Sequence, residues 1–405
     1  MEHFCSNSFA RFKLDIIPEF RIGFLYFSVE KLSMICIILG TRPEIIKMSP
    51  IIRECEKRGL DYFVIHSGQH YSFEMDKAFF EDLNLPEPKY NLDVGSGTQG
   101  GQTAKILTGI EGVLMDERPD VVLVQGDTNT VMAGALAASK LHIKVGHVEA
   151  GLRSFDRKMP EEINRVVADH ISDYLFAPTG ESEKNLLAEG IPDEKVFVAG
   201  NTVVDAVYQN REISNEKSEI MNTLGLKSGK YLLVTAHRAE NVDDRDRLSG
   251  IINGINAVSE QYSLPVIFPM HPRTEKMMKE FGISPGGIRI IKPAGYLDFL
   301  QLEAHARLIL TDSGGLQEES CILGVPCVTL RDNTERPETV DCGGNVLAGT
   351  DSKRIVEAAE EMINFVDCRE TDDSAKPESP DNKLWQNPFG DGKTSERIID
   401  ICLKD

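Results

Sequence analysis

No run in this sequence approaches the roughly 20 apolar residues that a membrane-spanning helix requires. Positive charge is also scarce: 44 Lys and Arg stand against 64 Asp and Glu, a net charge of −20. That balance argues against nucleic acid or an anionic membrane surface as a partner. A phosphate-bearing ligand would have to be held by local positive features, because the global field repels it. The plainer meaning of the charge is solubility. Eight cysteines are present, yet there is no C-x-x-C and no Cys/His quartet at zinc spacing, which speaks against a structural metal site. Cys36 and Cys327 sit inside apolar strand patterns and read as small core hydrophobes. Such usage fits a reducing cytoplasm. Low-complexity sequence is missing at any scale that would matter.

What is present is a chain of 405 residues, long enough for two ordinary domains with separate cores. Residues 1–33 contain one apolar patch, Phe20 to Val29, interrupted by Arg21 and without a small-residue cleavage site, so they make a poor signal peptide. They read as a disordered extension or a start placed too far upstream, since Met34 immediately precedes the first convincing strand. From there short apolar runs alternate with helical patterns, the signature of parallel sheets covered on both faces. The runs in the first half are 35–39, 62–65, 121–125, 143–148 and 174–176; those in the second are 231–235, 265–269, 288–291, 308–311 and 325–330. Two successive sets predict an α/β chain of two Rossmann-like, doubly wound lobes in preference to a closed barrel. The charged stretch Arg211 to Gly229 separates the sets. The expected division is an N-terminal lobe at 34–205, a C-terminal lobe at 206–386, and a segment 387–405 whose helix packs back on the first lobe. Glu370 to Asp381 is acidic and proline-bearing, the composition of a flexible loop.

Ligands of doubly wound sheets sit beyond the carboxyl ends of the strands, so polar residues at those ends are the ones to weigh. The most informative is Thr311-Asp-Ser-Gly-Gly315, where an apolar run stops and a helical segment is predicted from Leu316. A turn there presents free backbone N–H groups and a positive helix end to an anion, and Gly314 and Gly315 carry no Cβ to hold a phosphate away. Glu319 is placed to accept hydroxyls, and Arg336 can supply positive charge. In the first half Gly40-Thr-Arg-Pro-Glu44 follows a strand, with Arg42 and Lys47 expected to face one cleft. Asp127 and Glu149 stand at two further strand tips, and Met159-Pro-Glu-Glu162 opens a helix that carries Glu161. In the second half His237 stands at another tip. Singly each is more readily explained as a cap or an ion-pair partner. Acids from one lobe facing a histidine and an anion turn from the other are a much rarer set, and carboxylates in unlike environments are how a protein separates general acid from general base. Gly95-Ser-Gly-Thr-Gln-Gly100 matches the dinucleotide fingerprint, but it follows a short, Asp93-bearing run. Its downstream acids Asp116 and Glu117 fall near a helix end and not at the tip of a second strand. A flexible loop near the cleft is expected there instead.

Taken together, Gly40-Thr-Arg-Pro-Glu-Ile-Ile-Lys47, Gln125-Gly-Asp-Thr128, His147-Val-Glu-Ala-Gly-Leu-Arg153, Pro160-Glu-Glu162, Gly200-Asn-Thr202, His237-Arg-Ala-Glu-Asn241, Asp312-Ser-Gly-Gly-Leu-Gln-Glu-Glu319 and Glu335-Arg-Pro-Glu338 resemble the non-hydrolysing UDP-N-acetylglucosamine 2-epimerases. The motifs run in order from about Met34 to the end. The resemblance implies a GT-B fold with the active site in the cleft between the lobes. It also implies interconversion of UDP-GlcNAc and UDP-ManNAc without a redox cofactor or metal, in a cytoplasmic homodimer that feeds surface polysaccharide or glycoconjugate synthesis. Asp127 and Glu161 are then expected to transfer protons, with Glu149 orienting the sugar or tuning their acidity. Ser313, Gly314, Gly315, Arg42, Lys47 and His237 would stabilise the departing diphosphate. Glu319 would read the ribose, and Phe299 and Arg336 would complete the nucleotide pocket. A hydrolysing relative, a GT-B glycosyltransferase and a catalytically silent nucleotide-sugar binder are the other readings this pattern allows.

Overall fold

Two parallel sheets carry the chain. The computed structural model describes residues 34–69, 73–371 and 384–404. The expected N-terminal extension and most of the acidic stretch 370–381 lie outside the described residues, apart from the end of the helix Ser352–Thr371. The first sheet comprises β1 (Ile35–Leu39), β2 (Tyr62–His66), β3 (Tyr90–Asn91), β4 (Val121–Gln125), β5 (Lys144–Val148), β6 (Tyr174–Ala177) and β7 (Val196–Val198). Its seven strands take the order β3-β2-β1-β4-β5-β6-β7. The second comprises β8 (Leu232–Thr235), β9 (Val266–Pro269), β10 (Arg289–Ile291), β11 (Leu308–Thr311), β12 (Cys327–Thr329) and β13 (Asn345–Leu347), in the order β10-β9-β8-β11-β12-β13. These are the two doubly wound lobes that the alternation of apolar runs predicts. The edge strands β3, β7 and β13 were not expected; each is two or three residues long and incompletely buried, too short for a periodic signal.

Central strands such as Ile35–Leu39 and Val121–Gln125 are buried at every position because helices cover both faces. One face of the first sheet packs Ile37, Leu39, Ile45, Met48 and Phe176 together; the other packs Ile38, Val124, Val131 and Ala135. In each sheet the winding reverses at the centre, between β1 and β4 and between β8 and β11. A crevice opens at such a reversal, beyond the strand ends. The chain segments leaving those four strands contain Lys47, Asp127, His237 and Ser313, so topology alone collects them.

The stretch Arg211 to Gly229 is not an irregular linker. The helix Thr202–Lys217 runs into it and the short helix Ile220–Leu224 follows. Val203, Val204 and Val207 on the first of these form a small core with Leu300, Cys321, Ile322, Trp385 and Phe389. The final helix, Thr394–Cys402, inserts Ile398, Ile399 and Cys402 among Ile45, Met48 and Ile52. Its first turn is held by Asp205, whose buried carboxylate accepts from the Ser395 amide at 2.9 Å, the Ser395 hydroxyl at 2.7 Å and the Thr394 amide at 3.2 Å. These bonds satisfy N–H groups that a helix start leaves without partners. Asp205→Ala removes them all and strands buried donors, so it is expected to cost about 1–3 kcal/mol. Differential scanning calorimetry should show the unfolding midpoint lowered by several degrees; an unchanged midpoint would mean that water replaces the carboxylate at no loss.

Candidate active site

Lys47 lies a turn and a half into the helix Arg42–Arg58, whose start is fixed by Glu44: its Oε2 accepts the amides of Gly40 at 2.6 Å and Thr41 at 3.0 Å. Thr41-Arg-Pro-Glu44 thus places a side chain back on the N-cap, as a Thr-x-x-Glu start does. Glu44 is buried, its other oxygen accepts from the Thr128 hydroxyl, and burial pushes its pKa up to about 7. Across the sheet, Glu149 follows β5 in the left-handed region at φ 69, a conformation rare for a residue with a Cβ. Two residues on, Gly151 turns at φ 80 where an added Cβ would stand 2.3 Å from the Ser182 carbonyl oxygen. The turn aims the Glu149 carboxylate at Lys47 Nζ, 2.6 Å away, and at the Gln125 amide.

These residues line a cavity of about 810 Å³ that also includes Asp127, Glu161, Arg165 and, from the second lobe, Arg331, Thr334 and Arg336. The helix Pro160–Ile171 sorts its two first-turn acids. Glu162 turns back to accept the Ser154 and Phe155 amides at 2.9 and 3.0 Å, whereas Glu161 faces the cavity. Arg165, one turn after Glu161 on the same face, bonds the Asp127 carboxylate, and Asn164 donates to the Asp127 carbonyl at 2.9 Å.

The carboxylates are electrostatically unlike. Burial raises Asp127 above the usual carboxylate range, although Arg165 works against it. Burial acts on Glu149 in the same sense, but Lys47, Arg336 and Arg165 outweigh it and hold the group below that range. Lys47 pays for its own burial with the charges of Glu149 and Glu318 and stays a firm ammonium. Two carboxyls whose acidities are pushed in opposite directions are the arrangement that acid–base work requires. The second lobe supplies cations: Arg336 pairs with Glu318 at 2.8 Å, and Arg331 with Glu240 at 2.9 Å, while one Arg331 nitrogen is buried without a hydrogen-bond partner.

Beside Arg336, the helix Gly314–Leu323 begins at Gly314, two residues earlier than expected, because Ser313 takes the N-cap position. Its side chain makes no capping bond, and a Cβ on Gly314 or Gly315 would meet nothing closer than about 3.9 Å; none of the three residues is among those lining the cavity. Asp312, wholly buried, ties this turn to the tip of β8 by accepting the amides of His237 at 3.0 Å and Arg238 at 2.9 Å and the Asn241 side chain at 3.1 Å.

A model of the family described as UDP-N-acetylglucosamine 2-epimerase matches residues 53–403. Among curated relatives, the UDP-N-acetylglucosamine 2-epimerase of Methanocaldococcus jannaschii is 57% identical over 373 residues, covering 90% of this chain and 97% of the relative. The chain belongs to the UDP-N-acetylglucosamine 2-epimerase family. The crystal structure of the M. jannaschii enzyme in complex with UDP-GlcNAc and UDP superimposes with a TM-score of 0.75 at 57% identity, over 91% of this chain and 99% of that one. A Neisseria meningitidis UDP-GlcNAc 2-epimerase bound to UDP-GlcNAc is 34% identical, with a TM-score of 0.77 over 92% and 100% of the two chains. The two-lobed α/β fold is the one these epimerases share with it.

Of the residues singled out from the sequence, the cavity brings together Lys47, Asp127, Glu149, Glu161 and Arg336. Arg42 does not face it with Lys47. Five helical positions turn the side chain through about 140°, and Arg42 lies against Asp76 at 3.5 Å and over the Phe79 ring. His237 borders the other strand tip, with Nδ1 3.3 Å from Asp312. Burial, against the pull of Asp312, lowers its pKa. Glu319 is pushed up to about 7 by burial and by Glu318, and Phe299 packs against the core around Tyr231 and Leu233. Sequence reading passed over Glu44, Arg165, Arg331 and Asp312. The Thr-x-x-Glu signature and the four-residue step from Glu161 were the available signals for the first two. The Gly95–Gly100 match is also not a loop throughout: a helix begins at Gln99, and a Cβ on Gly100 would meet nothing within 4 Å, so no close packing demands that glycine.

Glu44 yields a pH test. Its folded-state pKa lies above the unfolded one, so the native state keeps a proton that the unfolded chain releases. Stability therefore falls as pH rises from the ordinary carboxylate range towards 7, then levels off. Glu44→Gln, whose oxygen can still accept both amides while its NH2 donates to the Thr128 oxygen, is expected to flatten that slope in denaturation midpoints measured against pH; an unaltered slope would assign the titration to another group.

Proposed function

We propose that the chain interconverts UDP-GlcNAc and UDP-ManNAc by elimination and re-addition of UDP, without net hydrolysis. The C2 hydrogen of the sugar is not beside a carbonyl and is barely acidic. Breaking the C1–O bond first, or in concert, sends its electron pair to UDP and builds oxocarbenium character at C1. A base then removes the C2 proton, the C1–C2 double bond forms, and 2-acetamidoglucal and UDP remain in the cleft. Protonation of C2 on the opposite face and return of the UDP oxygen to C1 give the epimer, and every atom is conserved.

The observation that carries this reading is the split between carboxyls in one cavity: Asp127 raised and Glu149 lowered, beside Glu161 and among the cations Lys47, Arg165, Arg331 and Arg336. Asp127 and Glu161 are the proton-transfer pair, and Glu149 is the fixed anion that orients the sugar and sets the field. Lys47, His237 and the turn Ser313, Gly314 and Gly315 serve the diphosphate, and Arg336 adds positive charge to the nucleotide pocket. Glu319 takes the ribose hydroxyls, and Phe299 completes the nucleotide pocket. The buried, unpartnered Arg331 nitrogen, on a residue that lines the cavity, supports an anionic ligand. The relatives' names and the UDP and UDP-GlcNAc bound to the M. jannaschii enzyme support the substrate. We assign the lobes to 34–205 and 206–386, with 387–405 returning to the first, and take the working form to be a cytoplasmic homodimer. Among the described residues no helix is long and apolar enough to cross a membrane.

Incubation with UDP-GlcNAc in D2O, followed by proton NMR, should give UDP-ManNAc with deuterium at C2. Free ManNAc would move the activity to the hydrolytic class, and unchanged substrate would overturn both. Asp127→Asn should lower kcat by at least about a hundredfold, the usual loss of general acid–base help. A folded variant with near-normal turnover would take Asp127 out of the reaction.

A further inference from the structure

His147 lies on β5, wholly buried behind the tips that carry Asp127 and Glu149. Its Nδ1 is 2.6 Å from Asp169 Oδ1 and its Nε2 is 2.8 Å from the carbonyl oxygen of Gly126. A neutral imidazole has one N–H and one bare nitrogen, and a bare nitrogen needs a donor. Neither partner offers one. A backbone carbonyl has no proton. Asp169 is engaged as a carboxylate: its Oδ2 takes Arg153 Nη1 at 2.7 Å and the Gly151 amide at 3.2 Å. Both ring nitrogens must therefore donate.

We infer that His147 is held as an imidazolium and serves as a positioning residue for the two strand-tip carboxylates. It clamps the Gly126 carbonyl, which immediately precedes Asp127, and through Asp169 it holds the Gly151 amide just beyond Glu149. Both tips are strained or glycine-bearing turns, with φ 85 at Gly126, 69 at Glu149 and 80 at Gly151, so their geometry depends on what grips them.

The surroundings balance the charge. From the helix Pro160–Ile171 comes Asp169; from the loop after β5 comes Arg153, which is bound twice by Glu189 at 2.7 Å; the β4 side contributes only the carbonyl. Exposed His170 approaches Glu189 at 4.0 Å and does not touch the ring. Two cations thus face two anions. Burial by itself would lower the pKa of His147, and Arg153 works the same way, but the Asp169 charge and bond and the Gly126 carbonyl together raise it. None of the charges acting most strongly on Asp127 is His147; Arg165, Glu149 and Lys47 fill that part. His147 acts on the backbone that aims the acid.

Sign follows from the raised value. The imidazolium is complete below its folded-state pKa, and as pH rises through that value one N–H, and with it one grip, is lost. Turnover should consequently fall on the alkaline side. The inference rests on the reading of Asp127 as a proton-transfer group, but its first test does not. In the wild-type protein with 15N-labelled histidine, two-bond proton–nitrogen NMR at neutral pH should show both His147 nitrogens protonated, with His147→Gln identifying the signal. A neutral ring would overturn the proposal whatever Asp127 does. His147→Gln should lower kcat by about ten- to a hundredfold, as a misplacement of roughly an ångström does, with KM for UDP-GlcNAc changed less than about twofold. Wild-type kcat in that variant would overturn the positioning role. Should it fail to fold, Asp169→Asn removes the stabilising anion and is expected to move the alkaline limb of kcat to lower pH by about one unit or more, whereas an unmoved limb would overturn the role. Near-normal turnover in Asp127→Asn, with His147 still doubly protonated, would overturn the reading of Asp127 and leave the charge of His147 standing.

Discussion

The ion pair between Lys47 and Glu149, closed at 2.6 Å, is the contact on which the site depends. It joins the first helix after β1 to the tip of β5 and reaches across the reversal in the sheet. Glu149 is buried and Lys47 is largely so, and such a pair is costly to desolvate. What it achieves is a division of labour. Lys47 holds Glu149 as the anion, while burial pushes the acidity of its neighbour Asp127 the other way. Without the lysine the two acids would compete for one role. The left-handed backbone at Glu149 is tolerated because Lys47, Gln125 and the grip on Gly151 all hold the turn in place.

Much of the architecture was written in the apolar runs, because a strand covered on both faces must be apolar throughout, and its last residue marks where a ligand can sit. That rule pointed to Asp127 and Glu149, which the structure places on one cavity with Lys47 from the helix after β1, and the order of the motifs named the family. The shortfalls have physical causes. β3, β7 and β13 are edge strands defined by a neighbour's hydrogen bonds and not by their own pattern. Arg42 was grouped with Lys47 by nearness along the chain, whereas a helix turns neighbours apart. Glu44 and Asp312 act by accepting backbone amides, a function that any acid near a turn can have or lack. His147 is the extreme case: its partners are an aspartate 22 residues away and a main-chain carbonyl, and sequence records neither.

The two lobes contribute different things to the cavity. The first brings Asp127 and Glu149 just past its strand ends, and the second brings arginines on the segment 331–336. The small core around Val204, Leu300, Ile322 and Trp385 and the return of the final helix to the first lobe join the halves away from the cleft. Such a layout permits one lobe to turn against the other while each keeps its own core.

Arg336 carries a consequence of that layout. It belongs to the second lobe, yet it is among the charges that keep Glu149 ionised, and it also acts on Lys47. The acidity of the first lobe is therefore a function of where the second lobe stands. Moving Arg336 away would take one support from Glu149 and narrow its contrast with Asp127. Electrostatics here works as an interlock: the field on the first lobe's carboxylates is set in part by a charge that the second lobe carries.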